Sequence, residues 1–202
     1  MTKAEKNAGK IKQMKKLEDE VVALKKSPLY KYRTSNGYLP VVGEGSLDSK
    51  IVLVGEAPGR NEAKTGRPFC GAAGKILDGL LAGAGIERRD VYITNIVKDR
   101  PPENRDPTPE EIRIYGPFLD RQIEIIQPKV IATLGRYAMV YIMKKFGLES
   151  QILPIGEAHG KTFKTEAGIE IVVLYHPCVA IYNRKQLPKL ETDFKILKDY
   201  KG

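Results

Sequence analysis

Cysteine is scarce in this chain: Cys70 and Cys178 are the only two in 202 residues. Two thiols exclude a disulfide framework, and they exclude a metal centre that draws four thiolates from one chain. Long apolar runs are missing as well. No stretch of about 18 apolar residues occurs, so no membrane-spanning helix is expected. The opening residues MTKAEKNAGK lead into no apolar segment, so the expectation is a cytoplasmic protein without a secretory signal. Internal repeats and low-complexity tracts are absent. Acidic residues are outnumbered: Lys and Arg total 34 against 25 Asp and Glu, a formal net charge of +9. That balance in a globular chain points to a polyanionic partner, nucleic acid first.

What is present is an alternation of strands and helices. Ile51–Val54, Val91–Asn95, Lys129–Leu134 and Ile171–Tyr175 are short apolar runs and read as buried parallel strands. Helical spacing is expected over 3–26, 73–85, 109–126, 136–146 and 188–200. Thr108-Pro109-Glu110-Glu111 is a helix start, with an N-cap threonine, proline at the first position and a glutamate to complete a capping box. Residues 27–50 read as irregular, and a short hairpin is expected around Ala167-Gly168. This order implies a three-layer α/β/α sandwich with a central four-stranded parallel sheet. A basic helix over 1–26 packs on a domain spanning 27–202.

The strand ends carry the chemistry. Gly55-Glu56-Ala57-Pro58-Gly59 breaks the first strand with two glycines and a proline. Open α/β sheets place ligands at such turns. Asn95 ends the second strand and His176 follows the last. In a parallel sheet these ends share one edge, so Glu56, Asn95 and His176 are expected to meet in one cleft with Phe69.

These residues sit in motifs that resemble the family 4 uracil-DNA glycosylases. The resemblance lies in GEAPGRNE at 55–62, GRPFCGAAG at 66–74 and TNIVKDRPPENRDPTPEE at 94–111. It continues in FLDRQIEIIQPKVIATLGR at 118–136 and YHP at 175–177, and its order and spacing hold over about residues 27–200. The resemblance implies an enzyme that flips uracil out of DNA and hydrolyses its glycosidic bond to begin base excision repair. It implies that Phe69 stacks on the base, Asn95 reads its O4/N3 edge and Glu62 stands beside C5. His176 becomes the donor to uracil O2, with the backbone of Glu56 and Ala57 forming the base and water pocket. Other branches of the superfamily place an aspartate where this chain has Ala57, so no side-chain base is read at that position. Gly71, Gly74, Ile181, Tyr182 and Arg184 fall where DNA contact is implied, with Ile181 or Tyr182 as the wedge. The expected partner is uracil-containing DNA, met by a monomer away from any membrane.

Two other functions stay open on the sequence. One is a non-catalytic binder of uracil or damaged DNA; the other is a glycosylase for another deaminated base, such as hypoxanthine. The chain also departs from the pattern it resembles. Those enzymes usually hold a four-iron four-sulfur cluster on four cysteines, and the aligned positions here are Leu24, Ser27, Asp99 and Tyr115. No cluster and no metal are expected, with apolar or hydrogen-bonded packing in their place.

Overall fold

Four runs rich in β-branched and aliphatic residues form the middle of the sheet. They are β2 (Ile51–Gly55), β3 (Tyr92–Asn95), β4 (Val130–Leu134) and β6 (Glu170–Leu174), seen in a computed structural model that describes residues 2–201. Met1 and Gly202, the outer ends of the two expected segments, lie outside the described residues. All four strands run parallel, in the order β3-β2-β4-β6. Short antiparallel strands close both edges: β1 (Glu44–Gly45) on β3, and β5 (Thr162–Lys164) on β6. The four parallel strands match expectation. The expected hairpin is the β5–β6 pair, with Gly168 at φ +76° in its turn. β1 was not foreseen, because Glu44-Gly45 carries no strand signal; it pairs only where Tyr92 and Ile93 offer a free edge.

Burial on both faces explains why the strands lack the alternation of a half-exposed sheet. Leu53, Ile93, Ala132 and Leu174 pack under α4 (Ala72–Gly83) and α9 (Leu187–Phe194). Val52, Val54, Ile131 and Val173 pack on the other face, under α5 (Pro109–Ile126) and α6 (Arg136–Lys145). Each such Val, Leu or Ile side chain contributes about 1.5–3 kcal/mol by leaving water. The chain leaves β2 toward β3 on one side, then returns past β2 to β4 and β6 on the other. That reversal opens a crevice at the C-terminal ends of the strands.

The N-terminal helix is shorter than its spacing suggested. α1 (Lys3–Val22) ends at Ala23, and Leu24 reaches the core from the turn that follows. Leu17, Val21 and Leu24 join Val97, Tyr115 and Phe118 in a third apolar cluster between α1, α5 and the segment after β3. The stretch 27–50, expected to be irregular, also holds α2 (Tyr30–Ser35). The last helix stops at Phe194 and continues as a 3-10 turn over Lys195–Tyr200. Between these elements lie the short helices α3 (Arg60–Thr65), α7 (Ile155–Ala158) and α8 (Val179–Tyr182).

α5 starts where its sequence signals. Thr108 Oγ1 accepts from the Glu111 N–H at 3.2 Å, and Glu111 Oε2 accepts from the Thr108 N–H at 2.8 Å. Arg105 grips the same carboxylate at 2.6 Å. Thr108→Ala is expected to lower stability by about 1 kcal/mol, read as a shift of the urea midpoint at constant slope. An unchanged midpoint would mean that the Arg105–Glu111 pair alone starts the helix.

Candidate active site

The strand ends enclose a cleft of about 450 Å³. Glu56 and Ala57 reach it from the turn after β2, Glu62 from α3, Phe69 from the next loop, Asn95 from the end of β3, and His176 from just past β6. The six residues expected at the base pocket therefore line one cavity. Asn104, Asp106, Arg136, Tyr137 and Cys178 line it too.

One wall depends on a missing Cβ. A methyl group on Gly55 would stand 2.3 Å from Asn95 Oδ1 and 2.8 Å from the Phe69 ring. Only glycine lets both side chains close over the end of β2. Phe69 itself is buried and adopts φ +48°, a left-handed conformation that a bulky residue rarely takes. Three contacts hold it there. Gly74 passes beneath, where an added Cβ would fall 1.8 Å from the Phe69 carbonyl oxygen. Arg88 donates to the carbonyls of Pro68 at 2.6 Å and Phe69 at 3.3 Å. Glu62 Oε1 accepts from the N–H groups of Cys70 and Gly71 at 2.9 and 2.8 Å, so its carboxylate lies across the start of α4.

Asn95 and His176 present complementary groups. Asn95 is 2% exposed, and its Oδ1 is buried with no hydrogen-bond partner among the described residues. The His176 ring lies 5.6 Å from the Phe69 ring, centroid to centroid. Its Nδ1 lies 3.1 Å from the Cys178 N–H and accepts from it. Burial pushes the His176 pKa down to about 4, with Glu62 opposing. The ring is then neutral at physiological pH, and with Nδ1 accepting, Nε2 carries the hydrogen.

Glu56 moves the other way. Burial, then the charge of Asp106, raises its pKa to about 7, against the pull of Arg136. Asp106 accepts from the Tyr137 hydroxyl at 2.5 Å and lies 3.8 Å from Arg136. Asn104, at φ +54°, accepts from Arg100 Nε at 2.7 Å. These rim residues were missed by the sequence reading. Arg136 and Tyr137 follow the end of β4 directly, so the strand-end rule applied to every strand finds them. Leu134-Gly135 hid them by carrying no polar side chain.

The residues expected at DNA do not line the cleft. Ile181 and Tyr182 stand out at 47% and 86% exposure, and Arg184 is exposed beside them. Gly71 and Gly74 are buried, at the N-cap and in the first turn of α4. The four positions aligned with cluster cysteines converge elsewhere, under α1. Ser27 Oγ lies 2.7 Å from Tyr115 OH, which donates to Asp99 Oδ2 at 2.6 Å. Arg33 reaches Asp99 Oδ1 at 3.3 Å, and Leu24 packs in the same apolar cluster as Tyr115. Among the described residues, no group of three or more His, Cys, Asp or Glu could hold a metal ion, and no helix is long and apolar enough to cross a membrane.

A family model described as the Uracil DNA glycosylase superfamily matches residues 42–199. The type-4 uracil-DNA glycosylase of Sulfurisphaera tokodaii is 45% identical over 190 residues, covering 92% of this chain and 84% of that protein. The type-4 enzyme of Archaeoglobus fulgidus is 44% identical over 188 residues, covering 90% and 92%. The type-5 uracil-DNA glycosylase of Thermus thermophilus is 33% identical and covers 68% of each chain.

The two pKa shifts make a direct test. Side-chain NMR is expected to show the His176 ring titrating near pH 4 and the Glu56 carboxyl near pH 7. Between those values both groups are uncharged; above the upper one Glu56 alone is ionised. A His176 ring that titrates at the ordinary value of about 6.5 would contradict the buried, neutral donor.

Proposed function

The chain belongs to the uracil DNA glycosylase superfamily, and we propose that it is a monofunctional uracil-DNA glycosylase with the cleft at the strand ends as its active site. One observation carries the reading: an unpartnered amide oxygen, an aromatic face and a neutral imidazole N–H meet in one cleft. A uracil that has left the DNA stack lies against Phe69. Leaving the stack costs a few kcal/mol, and the pocket contacts offset that cost. Asn95 Oδ1 accepts from uracil N3–H while its NH₂ donates to O4. Cytosine offers an acceptor at N3 and an amine at C4, so it leaves the buried amide mispaired, which discriminates strongly.

Cleavage breaks the bond between C1′ and N1, and the bonding pair leaves with the base. Negative charge collects on uracil O2, where His176 Nε2–H donates. A neutral donor suits this task, because it strengthens as the charge develops without attracting other anions beforehand. A water oxygen bonds to C1′, and its proton passes to the Glu56 carboxylate or to solvent. Ala57 supplies no carboxylate, so Glu56, which lines the cleft and has a pKa near 7, takes this role. Glu62 closes the pocket beside C5 while it ties the Phe69 loop to α4.

Tyr182 and Ile181 project from α8 and fill the gap left by the base, with Arg184 on a phosphate. The greater exposure of Tyr182 favours it as the wedge. Gly71 and Gly74, being buried, serve the DNA side through the loop path they permit. The cleft is complete within one chain, which supports action as a monomer, and a cytoplasmic location accords with a DNA substrate. His176→Ala and Asn95→Ala are each expected to lower the single-turnover rate on a uracil oligonucleotide by about 10²-fold while the circular dichroism spectrum stays native. Full activity in both would refute these roles.

The same reading includes catalysis without an iron–sulfur cluster. The aligned residues do not fit one: Leu24, Ser27, Asp99 and Tyr115 offer no thiolate. Their side chains already satisfy one another. The buried Asp99 carboxylate has Tyr115 and Arg33 as donors, and Arg33 also binds the last carbonyls of α1, Val21 and Val22. The network thus joins α1, α2, α5 and the segment after β3. Tyr115→Phe is expected to lower stability by about 1–3 kcal/mol, since it strips a donor from a buried carboxylate. Iron analysis of the purified wild-type protein is expected to find none bound. Stoichiometric iron with a broad visible absorbance band would overturn the cluster-free reading.

A further inference from the structure

Lys98 is wholly buried, three residues past Asn95. Its Nζ donates to the Asn95 carbonyl oxygen at 2.6 Å, to Gln122 Oε1 at 2.6 Å and to Thr94 Oγ1 at 2.8 Å. None of these acceptors is a carboxylate; the charge of Asp120 acts from farther away. Burial pushes the lysine pKa well down. An apolar side chain of similar length would fill the space without the desolvation cost of an amine. Filling the space therefore does not account for a lysine here.

Its hydrogen bonds do. Three acceptors converge on the one nitrogen. Thr94 is held as an acceptor, because its own hydroxyl donates to the Val42 carbonyl at 2.7 Å. Gln122 is held too: its NH₂ donates to Val42 O at 2.9 Å and to Tyr92 OH at 3.0 Å, which turns Oε1 toward the lysine. The decisive bond is the one to Asn95. β1 pairs with Tyr92 and Ile93 and goes no further. The Asn95 carbonyl faces the same side of β3 two residues on, past the end of that ladder. Lys98 gives it a donor. The Asn95 side chain, by contrast, opens into the cleft with Oδ1 unpartnered.

We propose that Lys98 is a positioning residue for the uracil site: it anchors the Asn95 main chain from behind, so that the amide meets the base edge at a fixed angle. The proposal rests on Asn95 reading the base, as set out above. Its leverage is geometric. β3 ends at Asn95. The other edge of the same peptide is held by the Ile96 N–H, which donates to the Gly55 carbonyl at 3.0 Å. Lys98 fastens the carbonyl edge, and a peptide held on one edge alone tilts Oδ1 relative to the base edge. A misplacement of about 1 Å at such a contact costs on the order of 10²-fold in rate.

The test is a double-mutant cycle on a uracil oligonucleotide with wild type, Lys98→Met, Asn95→Ala and the double variant. Lys98→Met is expected to lower kcat at least about tenfold and to change KM for DNA less than about twofold. In the Asn95→Ala background the same change is expected to cost less than about twofold, because the group it positions is gone. Gln122→Met is the second arm, useful if Lys98→Met folds poorly. It removes one acceptor of Lys98 without touching Asn95, and should slow uracil release about threefold or more, again with little added loss beside Asn95→Ala. Rate losses that multiply in both pairs overturn the anchoring role while leaving Asn95 as the base reader. An Asn95→Ala enzyme as fast as wild type removes Asn95 from the site, and the anchoring role falls with it.

Discussion

Burial of the central sheet on both faces is the constraint from which the rest of the structure follows. Val52 and Leu53 point to opposite layers, and both are fully covered. A polar side chain inside such a strand must find a partner within the protein or lie at the strand's end. Thr94 finds one in the Val42 carbonyl. Thr133 does not: its Oγ1 is buried without a partner among the described residues, and nothing in the structure explains it. Reactive groups are therefore displaced to the C-terminal ends of the strands. There the reversal of strand order parts the helices and leaves room for a base.

The same constraint shapes the segment after β3. Lys98, Asp99 and Arg100 are three consecutive charged residues, and all three are buried. Each is tied to a different neighbour. Lys98 binds Gln122 of α5, Asp99 binds Tyr115 of α5 and Arg33 of α2, and Arg100 binds Tyr32 and Asn104. A polar loop that looks solvated is thereby pinned at its root before it reaches the cleft with Asn104 and Asp106. Hydrogen bonds between Ser27, Tyr115, Asp99 and Arg33 fasten this region to α1 and α5. Such a network needs every member satisfied, since a half-paired carboxylate in that setting destabilises more than an apolar substitute.

Much of this was legible in the chain and some was not. Strand cores showed through because β-branched runs bounded by glycine have few other uses. The meeting of Glu56, Asn95 and His176 followed from strand polarity, with Phe69 joining them from the next loop. The edge strand at Glu44-Gly45 was hidden, because its existence depends on a free neighbour rather than on its own residues. The burial of Lys98, Asp99 and Arg100 was hidden for the opposite reason. Their composition argues for solvent, and only partners distant in sequence, Gln122, Tyr115 and Tyr32, reverse it. Gly74 has a role that its motif alone did not disclose. A Cβ there would strike the Phe69 carbonyl, so its smallness serves the loop that shapes the pocket.

Desolvation acts on the two titratable groups of the cleft in opposite directions, with one electrostatic result. It lowers His176 to about 4 and raises Glu56 to about 7. Both shifts favour the uncharged form. Around neutral pH the cleft holds a neutral imidazole and a carboxyl poised between its two states. Uracil enters as a neutral base and departs as an anion, so charge appears only as the bond breaks. A site already carrying an imidazolium would attract the anionic backbone of any DNA and would spend its interaction on the ground state. In the role proposed for His176, a neutral N–H donor interacts weakly with the incoming carbonyl and strongly with the oxyanion, and that difference lowers the barrier. Glu56 ionises only at the edge of this range, so below about pH 7 the cleft does not carry its full negative charge where an anion departs.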